Sequence, residues 1–364
     1  MIPINKPLFD EEEVVAVSQV LRSGVLTSRT ESASMVGKFE RAFAGYVKAE
    51  HAFAVSSGTA ALHLSLLASE VGYGDEVIVP SFTFVATAET VALVGATPVF
   101  VDISLDTYNA IPEEIEKALT QKTKAIIPVD LFGLPADMKP IQEIAEKHGL
   151  VVIEDSAQAH GAQYHGMPVG NLAHLACWSF YASKNMTTGE GGMITTSNRS
   201  YADKLPYMRT HGEKSEYTSS MIGGNFRMPE IEAAIGYVQL QKLPQFLALR
   251  QKNAKRLTAK LQDVGALQLP IVPQDRNHSW YLFTVRLRNG NRDSTVNKLR
   301  KLGIGAAVYY RVPIHLMPFY HRFHRNKLPN TEKAAEEVFS LPVNPAVTID
   351  QIDYIAASLR SILH

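Results

Sequence analysis

Between Ala52 and Glu154 the chain alternates short apolar runs with stretches of helical period, and this alternation restricts the fold more than any other feature. Strands are expected at Ala52–Ser56, Glu76–Val79, Thr97–Asp102, Ala125–Val129 and Leu150–Glu154. Helices are expected between them at Leu62–Glu70, Thr87–Leu93, Pro112–Leu119 and Met138–His148. Strand–helix–strand units of this length join parallel strands, and a parallel sheet needs helices over both faces. Ligands of such sheets bind beyond the carboxyl ends of the strands. Ser56, Pro80–Phe84, Asp130, Asp155 and the Ser179–Lys184 segment all follow expected strands. One pocket can therefore collect them.

Lys184 stands after the strand-like run His174–Phe180 and before a glycine-rich turn that leads into a second run, Gly192–Thr196. An amine held between two rigid elements can form a Schiff base with a carbonyl once its surroundings expose the free base. Twenty-nine positions earlier, Val151–Val152–Ile153–Glu154–Asp155 ends a buried strand in two carboxylates. An enzyme that holds pyridoxal phosphate needs such a lysine and an acid opposite the pyridine nitrogen. Taken singly, Lys184 is equally readable as an exposed loop lysine and Asp155 as a helix cap.

Ser57–Gly58–Thr59–Ala60–Ala61 joins a strand to a helix start, where unpaired N–H groups and the Thr59 hydroxyl can receive one phosphate or serve simply as a cap. Phe82 and Phe84 flank Thr83 directly after a strand. Either ring can stack on a flat heteroaromatic group or complete the core.

Outside this region, Pro7–Leu21 reads as a helix capped by Asp10 with Val14, Val17, Val20 and Leu21 on one face, and Ser23–Met35 as a loop. Pro229–Phe246 reads as a helix followed, after Pro244, by another from Leu247 to Leu261. From about Pro270 the pattern changes to a smaller α+β unit, with strands at Trp280–Leu287 and Ala306–Tyr310 and helices at Arg292–Leu302, Thr331–Val338 and Ile349–Leu363. The loop Tyr309–His315 is placed to reach back to the first unit's pocket.

Lysine plus arginine and aspartate plus glutamate are both 36, so no net field attracts nucleic acid or an anionic membrane. Cys177 is the single cysteine and reads as a buried thiol in a reducing compartment. The N-terminus lacks a signal-peptide profile and no apolar run is long enough to span a bilayer, so a cytoplasmic protein is expected. His160, His165 and His174 have no metal-ligand spacing, and no metal is expected.

Ser56–Thr59, Glu154–Gln158, Ser179–Lys184 and Gly224–Met228 together closely resemble the DegT/DnrJ/EryC1/StrS family of pyridoxal-phosphate-dependent nucleotide-sugar aminotransferases. The resemblance runs from about Gly24 to about Leu316 and includes Gly74–Pro80, Gly133, Thr188–Gly192 and His211–Gly212. It implies the aspartate-aminotransferase-like fold type I: an α/β large domain over residues 1–245, with a mainly parallel seven-stranded sheet and an N-terminal arm, and a smaller C-terminal α+β domain over 246–364. It also implies pyridoxal 5'-phosphate as cofactor, a homodimer with shared active sites, and a place in amino-sugar and polysaccharide biosynthesis.

Carried over residue by residue, the resemblance makes Lys184 the Schiff-base lysine and Asp155 the partner of the pyridinium nitrogen. Gln158 would contact the ring face or phenolic oxygen. Ser57, Gly58, Thr59, Ala60 and Ser179 would hold the phosphate, Asn225 would reach the phosphate of the other subunit's cofactor, and Phe84 would stack. Lysine at 184, where dehydrating relatives have histidine, favours transamination from glutamate or glutamine. The Asn185–Gly192 sequence resembles the branch that aminates 4-keto nucleotide sugars, whereas Thr87–Val91 resembles 3-keto members. A lyase or a non-catalytic paralogue are the competing classes.

Arg29, Arg209, Arg227, Tyr310, Arg311 and His315 are candidates for the sugar nucleotide, whose diphosphate needs cationic partners. The Gly24–Glu40 stretch is longer than the family's usual loop and lacks its central glycine, so the identity of the sugar does not transfer.

Overall fold

The structure is a computed structural model that describes residues 1–28, 34–215, 217–323 and 326–363. Its central sheet is built from β1 (His51–Val55), β2 (Glu76–Pro80), β3 (Thr97–Val101), β4 (Thr123–Ile126) and β5 (Val151–Asp155), and then from β8 (Leu175–Ser179) and β9 (Gly192–Thr196), which follow a short hairpin of β6 (Gln163–Tyr164) and β7 (Met167–Pro168). The strand order is β1-β9-β8-β5-β4-β2-β3, and β9 alone runs against the other six. This is the seven-stranded, mainly parallel sheet expected from the sequence.

Alternation of side chains along each strand divides the core. Helices α1 (Glu11–Ser23) and α2 (Met35–Val47) precede α3 (Gly58–Ala68) and α4 (Ala86–Leu93), and Val77 and Val79 of β2 join Leu62, Leu64 and Leu66 of α3 and Val91 of α4. Ile78, between them, joins Met138, Ile141 and Ala145 of the helix Met138–His148. Towards β1 and β9, Trp178 and Met193 pack with Phe39 and Phe43 from the helix Met35–Val47 and with Leu240 and Leu243 from the long helix Glu230–Leu261.

That 32-residue helix passes through Pro244 unbroken, so the two helices expected at Pro229–Phe246 and Leu247–Leu261 are one element, and the division expected at 245/246 falls inside it. An internal proline costs roughly 3 kcal/mol. Burial of Leu240, Leu243 and Phe246, at roughly 1.5–3 kcal/mol each, outweighs it.

Beyond the helix, Leu267–Gln268, Phe283–Leu287 and Val338–Leu341 form a second, antiparallel sheet. It packs with the helices Arg292–Lys301 and Ile349–Leu363 around Phe283, Val285, Phe339 and Leu359. Ile2 lies in this same core, with Ile2 N–H donating to Gly303 O at 2.7 Å and Gly305 N–H to Ile2 O at 2.8 Å. Ala306–Tyr310 is no strand: Ala307 makes a single bridge to Ser340. Trp280, at φ +55°, lies outside the strand expected from it.

The N-terminal helix Glu11–Ser23 is capped by Asp10 with a full capping box, but Val14 and Leu21 are exposed. The buried residue on that face besides Val20 is Glu13, drawn in by Gln239 Nε2 and Lys242 Nζ at 2.8 Å each.

Candidate active site

The pairing of β1, β8 and β9 brings two loops together. Gly192 pairs with Val55 on one side and with Ser179 on the other. A Cβ on Gly192 would lie 2.3 Å from Ser57 O, and one on Gly58 would lie 2.8 Å from Ser179 Cβ, so only glycines allow this approach. The start of α3 is thereby pressed beside Ser179. Ser57 is its N-cap, with Oγ accepting from Ala60 N–H at 3.0 Å. Ala60 N–H is thus engaged, while the N–H groups of Gly58 and Thr59 stand at the helix start, where they have no intrahelical partner.

Lys184 follows in a tightly tied turn. Its N–H donates to Tyr181 O at 2.9 Å, and Thr187 Oγ1 and Thr188 N–H both donate to Phe180 O at 2.8 and 3.0 Å. Asn185, which is buried, donates from Nδ2 to His160 O and Ser279 O at 3.3 and 3.2 Å. The Lys184 amine lies over the Tyr281 ring, 4.8 Å from its centroid, and Tyr281 Oη and Ser183 Oγ are 2.9 Å apart. Arg250 of the long helix holds Tyr281 in place by donating from Nη1 to the carbonyls of Trp280 and Tyr281, each at 3.1 Å.

Asp155 ends β5 and is buried. Its Oδ2 accepts from Thr87 Oγ1 at 2.9 Å and its Oδ1 from Ala157 N–H at 3.2 Å. Burial raises its carboxyl above the ordinary range, while Thr87, Ala157 and the Lys184 charge oppose the rise. Behind it, burial pushes Asp130 up to about 7 and Glu154 well above the carboxylate range. Gln158 Oε1 accepts from Phe132 N–H at 2.9 Å and its Nε2 donates to Tyr310 Oη at 3.1 Å. Tyr310 sits 6.4 Å, centroid to centroid, from Phe84, which is 56% exposed, whereas Phe82 is a core residue.

The structure therefore brings Lys184, Asp155, Gln158, Phe84, Ser179, Tyr310 and the Ser57–Thr59 corner to one end of the sheet. Asn225 is exposed beside them, on a strand-like segment that bridges Thr210, and Arg227 bridges Val55. Other candidates are engaged by partners of their own. His315 is fully buried, with Nδ1 2.6 Å from Ser81 Oγ and Nε2 3.6 Å from Glu332. Arg311 is paired with Asp293 at 2.8 Å, and Arg209 is buried on Glu40 and the Ala54 carbonyl. Arg29 lies outside the described residues. No local pattern marks Tyr281, and the Thr87–Val91 run, which resembles 3-keto members, carries no sign of the contact from Thr87 to Asp155.

The donor set suits pyridoxal phosphate: an amine, a carboxylate at a strand end, an amide beside it, and a helix start whose first N–H groups have no intrahelical partner. Among the described residues there is no cluster of His, Cys, Asp or Glu that could hold a metal ion, and no helix long and apolar enough to cross a membrane.

Fold and site together define a type I pyridoxal-phosphate enzyme. The model of the DegT/DnrJ/EryC1/StrS aminotransferase family matches residues 7–360, and the chain belongs to that family. A UDP-N-acetyl-3-dehydro-α-D-glucosamine 3-aminotransferase of Acidithiobacillus ferrooxidans is 42% identical over 326 residues, covering 89% of this chain and 88% of its own. A protein of Geobacillus stearothermophilus described as a pleiotropic regulatory protein is 40% identical over 367 residues, 98% of both chains. The crystal structure of DesV from S. venezuelae, in complex with a ketimine intermediate, superposes with a TM-score of 0.93 at 35% identity and covers 100% of this chain and 99% of that one. The protein is an aminotransferase of the sugar type and depends on pyridoxal phosphate.

Proposed function

We propose that the protein transfers the amino group of L-glutamate, with L-glutamine as the other candidate donor, to a keto nucleotide sugar, most simply a 4-keto-6-deoxy sugar. The observation that carries this reading is the convergence of Lys184, Asp155 and Gln158 beside the Ser57–Thr59 corner at the carboxyl end of the sheet. Bound pyridoxal phosphate supplies the electron-withdrawing ring that makes the donor's Cα–H acidic.

The chain's own groups do the rest. Lys184 would hold the cofactor through its Nζ and, as a free amine beside the donor, would serve as the base that takes and returns the Cα proton. Asp155 holds the proton on the pyridine nitrogen. Gln158 orients the ring through its amide, and Thr59, the neighbouring N–H groups and Ser179 receive the phosphate. Phe84 offers its exposed face for stacking.

Asn225 is assigned to the phosphate of a second subunit's cofactor, and the enzyme is read as a homodimer with shared sites. Its exposure supports this, as do the exposed apolar residues Val14, Val15, Leu21, Val25 and Leu26 on the N-terminal arm. Arg227 and Tyr310 remain the sugar-nucleotide contacts the geometry favours. The single buried thiol, Cys177, fits a reducing cytoplasm.

The Asn185–Gly192 sequence supports amination at C4. A 3-keto sugar is the second reading, favoured by Thr87–Val91 and by the named activity of the Acidithiobacillus relative. Incubation of the purified enzyme with pyridoxal phosphate, L-glutamate and a panel of 4-keto and 3-keto nucleotide sugars tests both. One amino sugar should form in step with 2-oxoglutarate, and proton NMR of the product assigns the carbon. Sugar conversion without 2-oxoglutarate would instead establish a lyase, and no conversion of any member would favour a regulatory paralogue.

A further inference from the structure

Two threonines in α4 behave differently. Thr90 returns its hydroxyl to Ala86 O, four residues back, at 2.9 Å, as a threonine within a helix commonly does. Thr87, in the first turn, instead sends its hydroxyl across to β5 and donates to Asp155 Oδ2 at 2.9 Å. Thr83 Oγ1 lies 3.3 Å from Thr87 Oγ1, so the Thr87 hydroxyl has a second hydroxyl behind it while it donates forward. Thr83, Thr87 and Asp155 are 2%, 0% and 5% exposed, so water does not substitute for either bond.

With Ala157 N–H on Oδ1 and Thr87 O–H on Oδ2, each carboxylate oxygen carries one donor and the plane of the group is fixed. Two influences on Asp155 oppose each other: burial favours the neutral acid, whereas the Lys184 charge favours the carboxylate. A donor aimed at a carboxylate oxygen favours the ionised form, and removing it leaves a buried acceptor without a partner.

We propose that Thr87 is a positioning residue for transamination, which keeps the Asp155 carboxylate ionised and turned toward the pyridine nitrogen of the cofactor. The proposal rests on the reading that Asp155 pairs with that nitrogen. Thr83 supports it by fixing the direction of the Thr87 hydroxyl.

The test uses full-length apoenzyme of wild type, Thr87→Val, Thr87→Ser, Thr83→Val and Asp155→Asn, titrated with pyridoxal phosphate labelled with 15N in the ring. Thr87→Val should move the nitrogen signal toward that of the unprotonated pyridine and weaken cofactor binding about tenfold, equivalent to about 1.4 kcal/mol. Thr87→Ser should restore both, and Thr83→Val should shift the signal less in the same direction. With substrate, kcat should fall while KM for glutamate stays near wild type. A Thr87→Val enzyme with the wild-type nitrogen signal and only a lower apoenzyme melting temperature would reduce Thr87 to packing and overturn the proposal. If Thr87→Val does not fold, a Thr83→Val enzyme with an unshifted nitrogen signal overturns it equally. An unshifted signal in Asp155→Asn would instead reject the pairing of Asp155 itself, a separate failure.

Discussion

The Tyr281 ring underlies the Lys184 amine, with Nζ 4.8 Å from the ring centroid and the phenol bound to Ser183 one residue before the lysine. A residue of the C-terminal segment thus limits how the reactive side chain swings. Tyr281→Leu removes both ring and hydroxyl, and kcat for the glutamate half-reaction should drop about 10- to 100-fold, as expected when a reacting group is misplaced by about 1 Å. Tyr281→Phe keeps the ring and should lose only a few-fold, within the roughly 0.5–1.5 kcal/mol of one hydrogen bond. Stopped-flow single turnovers with L-glutamate measure both, and equal losses would show that the ring face is irrelevant.

Gly58→Ala should expel the cofactor before it unfolds the chain. The added methyl meets Ser179 Cβ at 2.8 Å, so α3 and the Ser179 turn must separate. Overpacking of this kind costs about 1–3 kcal/mol of stability. Equilibrium dialysis with pyridoxal phosphate should show a weakened complex, while urea unfolding of the apoenzyme shifts only by that amount.

Glu154 and Asp130 make the apoenzyme's stability depend on pH. Both folded-state carboxyls are raised by burial, Asp130 to about 7, so the folded chain holds protons that the unfolded chain has released. This contribution is complete below the unfolded value near 4 and is lost as pH rises toward 7, at up to about 1.4 kcal/mol per pH unit for each proton. Glu154→Gln is a neutral isostere and should flatten the decline between pH 5 and 8. Urea midpoints across that range give the slope, and an unchanged slope would exonerate the pair.

Arg209→Met tests a different point. Arg209 and Glu40 form a buried pair, and Arg209 also donates to Ala54 O at 2.8 Å. Breaking it should cost about 3–5 kcal/mol in urea unfolding. The KM for a nucleotide sugar should stay unchanged in the protein that remains folded, which separates this arginine from Arg227.

Much of the scaffold was legible because each central strand is a short apolar run bounded by a helical one, and Lys184 and Asp155 stand where such strands end. The contacts that hold the two site residues were not legible, because they join positions far apart in the chain: Ser183 to Tyr281 spans 98 positions and Thr87 to Asp155 spans 68. His315 had the same difficulty in reverse. Its motif suggested a substrate loop, but its ring is taken inside by Ser81, 234 positions away. The helix of Glu230–Leu261 read as two because local propensity around Pro244 cannot register Leu240, Leu243 and Phe246 packing on either side of it.

The long helix has a consequence for how relatives of this chain can vary. At its start Glu230 accepts the N–H groups of Met35 and Val36, at 2.6 and 3.2 Å, and twenty residues later Arg250 grips the Trp280 and Tyr281 carbonyls. One residue inserted between these points would rotate Arg250 by about 100° and carry it about 1.5 Å along the axis. The guanidinium would then miss both carbonyls. The helix is a ruler between Glu230 and Arg250, so insertions that preserve activity should gather in loops and leave this spacing untouched.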